Sequence, residues 1–584
     1  MAREKVSDWV VRYLAAQGVT HAYELSGGML AHLLDSFQRL GGVRLVSMHH
    51  EQGAGFAAEG HARMTGVPGV AMATSGPGAT NLLTAVGSCW FDSTPAVFIT
   101  GQVNRHEMKR ARPVRQLGFQ ETDIVSVAGP ITKAALQVQA PEEIPEVLDR
   151  AFDLALGGRP GPVLVDLPMD VQRAVIDLPE PARRRRQVPD ATRVDPAALR
   201  GLREAMGAAQ RPLALVGGGV RSAQAAGEVM RVVEHLGLPV VHSLQAVDVL
   251  AHDHPLRVGL IGSYGNRWAN HALGSSDLLL VVGSRLDIRQ TGTDTAGFAR
   301  RRIVHVDVDA GEINNRVLGV DPVVADLRDF AAAVLAGPPA RPDLRAWHAS
   351  IAAMRERWPD TAELKGLPGL NPNAFLRALS LASPAAAAFV VDVGQHQMWA
   401  AQSLRLAPGQ RFLTSGGMGA MGFALPAAVG AAMAAAGRPV VMVAGDGGFQ
   451  LNIQELQTVA RNRLPLKLVV MNNRCHGMVR QFQETYFEGR YPSTVTGYDA
   501  PSFVRVAAAY GLAARHLDTE SMAEGPAQDR AVAEALGWLW HDAAQPALLE
   551  VGIPMSANAY PKLAFGRPIT EMEPQAKPLE MEGT

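Results

Sequence analysis

The stretch PVVMVAGDGGFQLNIQELQTVARNRLPLKLVVMNN, residues 439–473, decides the fold. A β-branched apolar run passes through a glycine-rich turn into a helical segment, then a second apolar run ends on two asparagines. Runs apolar on both faces and joined through a helix read as parallel strands covered on both sides. Asp446 then stands at the end of one strand and Asn473 at the end of the next. Such neighbouring ends meet at a switch point, where open α/β sheets bind ligands. One carboxylate and one amide oxygen are hard ligands suited to Mg2+, which takes few protein ligands and completes its octahedron with phosphates. Gly445, Gly447 and Gly448 would let backbone amides approach those phosphates at a helix start.

The same alternation runs outward along the chain, in VRLVSM (43–48), GVAMAT (69–74), AVFIT (96–100) and PVLVDL (162–167). The reading is α/β, with three consecutive doubly wound parallel-sheet domains at 1–172, 191–337 and 369–555 and a tail at 556–584. A polar stretch containing Arg183 to Arg186 and the connector GPPARPDL separate them as surface linkers. The middle block opens with RPLALVGGGVRSAQAAGEVM, read as a strand, a triple-glycine turn and a helix. The first and third blocks are candidates for one shared fold. The tail, SANAYPKLAFGRPITEMEP, lacks periodicity and reads as a strap or lid.

At 584 residues the chain exceeds what one core accommodates. Hydrophobic residues make up 47% and charged residues 19%, with a net charge of −1, so no nucleic-acid or anionic-membrane partner is expected. That balance suits burial against copies of the same chain. With only Cys89 and Cys475, neither a disulfide framework nor a thiolate metal cluster is expected. The start MAREKVSDWV lacks the apolar core of a secretory signal, and apolar runs break before ~20 residues, so a cytoplasmic protein is expected.

A second chemical feature lies in RLVSMHHEQGAGFAAEGHARMTG, residues 44–66. Glu51 follows a buried-type strand and opens a helix rich in Gly and Ala. Apolar surroundings favour the neutral form of a carboxyl, so the group can hold or share a proton. The plainer reading is a carboxylate stabilising a helix start.

The paired GDG and NN motifs resemble the diphosphate signature of thiamine-diphosphate enzymes. Over nearly the whole chain the sequence is similar to the acetolactate synthase-like (acetohydroxyacid synthase) group, through ELSGGMLAHLLDS, HHEQGAGFAAEGHAR, TSGPGATNLLTAV, QLGFQETDIV, GRPGPVLVDLPMDVQ, DVGQHQMWAAQ and SGGMGAMGFALPAAVGA. The resemblance implies pyrimidine-binding, central and diphosphate-binding domains in that order. It implies that Glu51 activates the cofactor, and that Asp446, Asn473 and the backbone carbonyl of Cys475 hold Mg2+. Gly27 and Gly28 would line the reaction face, and Phe119 and Gln120 would approach the thiazolium and substrate. Pro77 and Asn81 would touch the cofactor, Gln395 and His396 its diphosphate. Gly419 would accept from its amino group through the backbone carbonyl, and Met421 would wedge it into a bent shape. In the middle block, LVGGGVRS, GLIGSYGNRWANHAL, GSRLDIRQTG and RIVHVDVD resemble the group's flavin-binding members. Arg159, Gly217, Gly218 and Arg289 match positions used there for FAD.

Met478 and Phe482 match substrate positions. The group usually carries Trp where this chain has Phe482, and Ile288 breaks the acidic pair before Arg289. With YPKLAFGRPI, these departures resemble members that acetylate keto-sugars. The implied activity is decarboxylation of a 2-oxoacid such as pyruvate and joining of the acyl unit to a second carbonyl compound. The implied assembly is a homodimer or a dimer of dimers (a homotetramer), with each site shared between subunits. Carbon–carbon hydrolysis of a cyclic diketone, flavin-linked oxidation of a 2-oxoacid and an inactive regulatory paralogue remain as alternatives.

Overall fold

The computed structural model describes residues 2–183, 194–338, 342–519 and 522–581; the expected linker from Arg184 onward lies outside them. The first sheet contains β1 (His21–Glu24), β2 (Arg44–Ser47), β3 (Gly69–Ala73), β4 (Ala96–Gln102), β5 (Ala134–Gln137) and β6 (Pro162–Pro168). The second contains β7 (Pro212–Val216), β8 (Val240–His242), β9 (Arg257–Leu260), β10 (Leu278–Val282), β11 (Arg302–Asp307) and β12 (Asp321–Val324). The third contains β13 (Ala388–Val391), β14 (Arg411–Leu413), β15 (Val440–Gly445), β16 (Leu466–Asn472), β17 (Ala513–Leu517) and β18 (Ala547–Gly552). All three are parallel throughout.

The outer sheets share one strand order, β2-β1-β3-β4-β6-β5 and β14-β13-β15-β16-β18-β17. The middle sheet runs β9-β8-β7-β10-β11-β12, the order typical of dinucleotide-binding folds. Strands β3, β6, β7 and β10 are buried at every residue, as their unbroken apolar runs require.

One helix pair joins the first and third domains. The Glu51–Thr65 helix begins behind His50, whose ring accepts from Gln52 N–H, and ends at Gly66 with φ 75°. It crosses the Ala424–Ala434 helix backbone to backbone: a methyl group on Gly60 would lie 2.2 Å from the Ala427 carbonyl oxygen, and one on Gly430 1.9 Å from that of Ala57. Phe56 and Phe423 close the crossing edge to face, ring centres 5.4 Å apart. One apolar cluster runs through both domains.

Two local details depart from the sequence reading. Val175–Leu178, inside the expected first linker, pairs antiparallel with Ala2–Lys5. After the triple glycine the expected helix divides into Gly219–Ser222 and Ala226–Leu236, because Gln224 turns left-handed at φ 53°. The tail is a strap. Lys562–Leu563 pairs with Met572–Glu573, and Leu563 N–H donates to the Ser263 carbonyl of the middle domain (2.7 Å). Arg267, itself buried, donates to the Met572 and Glu573 carbonyls.

Candidate active site

Asp446 leaves β15 at the C-terminal edge of the third sheet, and Asn473 leaves the adjacent β16. Both are buried. Asn473 Oδ1 lies 3.2 Å from Asp446 Oδ1 and 2.8 Å from the Cys475 carbonyl oxygen, while its Nδ2 donates to Gln395 Oε1 (3.1 Å). Three oxygens, none carrying a proton to share, therefore face one point. Edges of this length fit an octahedral cation with oxygens at about 2.1 Å. Burial pushes the Asp446 carboxyl up to about 6, the cost of a carboxylate in a desolvated pocket. Tyr498 Oη donates to its other oxygen (2.7 Å). The Cys475 thiol is buried and pushed up to about 12, so only the backbone of that residue suits the site.

Gln395 and His396 open the Gln395–Ser403 helix beside these oxygens. Nε2 of His396 is buried with no partner among the described residues, a ring nitrogen left for a ligand. Burial holds this ring neutral, down to about 3. Asp392, at the end of β13, accepts from Gly422 N–H (3.0 Å) and Ala424 N–H (2.8 Å), and burial pushes it up to about 6. It thereby fixes the far side of the loop that presents Gly419 and Met421. Asp92 of the first domain fixes the near side, accepting from Gly416 N–H (2.9 Å) and Gly417 N–H (2.6 Å). The sequence reading assigned neither carboxylate a part, although Asp392 stands inside a quoted motif.

Glu51 is buried in the first domain, where Asn81 Nδ2 donates to its Oε2 (3.0 Å). A methyl group on Gly78, in the short Pro77–Asn81 helix, would lie 3.2 Å from Glu51 Oε1, and Gln120, at φ 64°, backs onto Gly76 just before that helix. Gly27 abuts Thr74 beside the same turn, whereas Gly28 is open. Phe119 is 79% exposed. The structure thus gathers Gly27, Glu51, Pro77, Asn81 and Gln120 in one place and Gln395, His396, Gly445, Asp446, Gly447, Gly448, Asn473 and Cys475 in another. Among the described residues no hydrogen bond or ion pair joins the Glu51 and Asp446 carboxylates.

A cavity of about 500 Å3 opens at the switch point of the middle sheet, between β7 and β10. Gly217 and Gly219 close on Gly283 there, leaving no room for a side chain. Gly218, Arg159 and Arg289 line the cavity. Arg159 reaches across from the first domain, donating to Ser93 Oγ (2.9 Å) and pairing with Asp309 (3.2 Å). The volume and the glycine-bounded wall fit a dinucleotide-sized ligand.

Met478 packs beside Tyr264, Met398 and Ala559, and Phe482 lies against Tyr486 with ring centres 4.8 Å apart. Both belong to the Gly477–Tyr486 helix that follows Asn473 and Cys475.

Comparison with known proteins agrees along the chain. The N-terminal, central and C-terminal domain models of thiamine pyrophosphate enzymes match residues 4–127, 199–334 and 392–551. The large subunit of acetolactate synthase isozyme 2 from Escherichia coli is 37% identical over 97% of this chain and 98% of its own length. The acetolactate synthase large subunit of Corynebacterium glutamicum is 38% identical over 86% of this chain and 81% of its own. The chloroplastic acetolactate synthase 2 of Nicotiana tabacum is 34% identical over 96% and 84%. With three matching domains in order and such identity over nearly its full length, this chain belongs to the thiamine pyrophosphate enzymes of the acetolactate synthase family.

Proposed function

We propose that the protein decarboxylates a 2-oxoacid of the pyruvate type and ligates the acyl unit to a second carbonyl compound, using thiamine diphosphate and Mg2+. The observation that carries this reading is the convergence of Asp446, Asn473 and the Cys475 carbonyl beside the free nitrogen of His396. Those oxygens would hold Mg2+, and His396 with the amides after Asp446 would hold the diphosphate. When bound, thiamine diphosphate supplies the electron sink for loss of carbon dioxide. Glu51, steadied by Asn81, would hold a proton at the aminopyrimidine. Gly419 and Met421 would orient the cofactor, on a loop held from both ends by Asp92 and Asp392. Phe119, Gln120 and Gly28 would border the substrate, with Met478 and Phe482 on the acceptor side.

The working unit in this proposal is a homodimer, or a pair of such dimers. Val114, Leu117 and Phe119 of the first domain and Met418, Leu451 and Val479 of the third leave apolar surface exposed, as an interface between copies requires. The Glu51 pocket of one protomer would then cover the metal pocket of its partner. FAD fits the glycine-walled cavity, with Arg159, Gly218 and Arg289 lining it, Gly217 packed behind on Gly283, and a supporting rather than redox part. No described helix is long and apolar enough to cross a membrane.

The test is incubation of purified protein with pyruvate, thiamine diphosphate, Mg2+, FAD and a panel of ketones, aldehydes and 2-oxoacids, with products identified by mass. A 2-hydroxyketone carrying the acetyl unit supports the proposal. Ring opening of a cyclic diketone, with no ligation product from pyruvate, refutes it. Mixing Glu51→Gln chains with Asp446→Ala chains tests the shared site, since a heterodimer holds one intact site. No recovery of activity after proven subunit exchange rules the shared site out.

A further inference from the structure

An amide seen by its shape alone reads either way round, so what decides that the oxygen of Asn473, and not its NH2, faces the cation point? The Cys475 N–H favours the oxygen through a long bond (3.3 Å), and the second determinant lies in the tail. Ala559 N–H donates to Gln481 Oε1 (2.8 Å), and Gln481 Nε2 donates to the Ala559 carbonyl (3.2 Å). A backbone N–H and a backbone carbonyl cannot exchange roles, so this pair fixes the Gln481 amide in one sense. Gln395 Nε2 donates to the same Gln481 oxygen (3.1 Å), which leaves Gln395 Oε1 to accept from Asn473 Nδ2 (3.1 Å). Asn473 Oδ1 is then the atom aimed at Asp446 and Cys475. All four residues are buried, where a wrongly paired amide is costly. The chain passes over Gly477, on which a methyl group would lie 2.0 Å from Gln395 Oε1.

We propose that Gln481 is a positioning residue for the cation site, and that the backbone of Ala559 in the C-terminal strap is the reference that sets it. This rests on the reading that Asp446, Asn473 and Cys475 hold a divalent cation. Without Gln481, Gln395 is free to turn, and Asn473 turns with it. Its NH2 then donates to the Asp446 carboxylate and the Cys475 carbonyl, closing the site on itself, and an arriving cation has to reverse that. With Gln481 in place, the oxygens face one another before any cation arrives. Strap docking and cation binding are therefore coupled, and the coupling acts in both directions.

The experiment uses the full-length protein, wild type and Gln481→Met, a change that keeps length and apolar volume but removes all three hydrogen bonds. Mn2+ affinity in the presence of thiamine diphosphate is read by electron paramagnetic resonance. Hydrogen exchange of the 557–563 segment is followed with and without both ligands. The expected result is Mn2+ binding weakened about 10–100-fold in the variant, the range for groups that orient a metal ligand. In the wild type alone, bound Mn2+ and thiamine diphosphate should slow exchange in the strap. Wild-type Mn2+ affinity in a folded Gln481→Met protein overturns the proposal, and so does a strap in the wild type whose exchange ignores the ligands. Failure of the wild type to bind Mn2+ at all overturns the cation reading itself.

Discussion

Adding one methyl group at Gly430 tests the crossing that joins the first and third domains. The new carbon would lie 1.9 Å from the Ala57 carbonyl oxygen, 2.7 Å from its carbonyl carbon and 3.0 Å from its Cα. All three are backbone atoms of a helix, so no rotamer change relieves the overlap, and the helices must separate by more than about 1 Å to restore a normal contact near 3.4 Å. Overpacking of this kind costs about 1–3 kcal/mol. Separation also loosens the edge-to-face contact of Phe56 with Phe423, worth about 0.5–1.5 kcal/mol. A combined loss near 2–4 kcal/mol lowers Tm by roughly 4–16 °C, at about 2–4 °C per kcal/mol for a cooperative unit of 150–250 residues. The same substitution at Gly207 supplies the control. It lies in the Pro196–Ala208 helix, with open space where its methyl would go, and should gain about 0.4–1 kcal/mol. Scanning calorimetry of both variants reads the difference. If Gly430→Ala melts with or above the wild type, the backbone contact between the domains is wrong.

Three further outcomes follow from the site and the core. Asp446→Ala should weaken Mg2+-dependent retention of thiamine diphosphate by more than about 100-fold, measured by calorimetry, since a direct ligand exceeds the effect of its supports. Phe482→Trp should move acceptor preference toward 2-oxobutyrate over pyruvate by up to about tenfold, read from product ratios; an unchanged ratio excludes Phe482 from the acceptor pocket. Asp166 is pushed up to about 6 by burial, despite accepting from Thr100 (2.7 Å), Gln102 (3.1 Å) and Gln137 (2.8 Å). Its folded value stands above its unfolded one, so its contribution to stability is complete below about pH 4 and fades as pH rises through about 6. Urea midpoints should show the wild type losing stability against Asp166→Asn across that window, and parallel curves would contradict this.

The sequence carried the fold because apolar runs and glycine turns are local signals. β15, the Asp446 turn and β16 can be read without knowing what packs on them, and so can the strand and helix around Glu51. What escaped was long-range. Asp92 and Asp392 act by accepting from backbone amides of a loop far along the chain, and no spacing pattern encodes a partner that has no side chain. Tyr498 meets Asp446 from a segment without periodicity. Gln481 stands beside Phe482 in a run already compared with the family, yet its role depends on Ala559, whose contribution is purely backbone. The split helix after Gly219 was missed because one left-handed residue, Gln224, reverses the chain where composition favours helix.

The dependence of Asn473 on Ala559 also has a consequence in time. A chain emerges from its N-terminus, and domains generally fold as they appear, at about 5–20 residues per second. Ala559 follows Gln481 by 78 residues. For roughly 4–16 seconds of synthesis, at those rates, β13 to β16 and the residues at the ends of β15 and β16 have been made with the Asn473 amide unset, β17 and β18 following before the strap. Until the strap is laid down, that amide is free to close the pocket against its own carboxylate. On the proposed coupling, the nascent chain would pass through an interval with Asp446 and Asn473 made and the pocket between them closed, until the strap, made later, opens it.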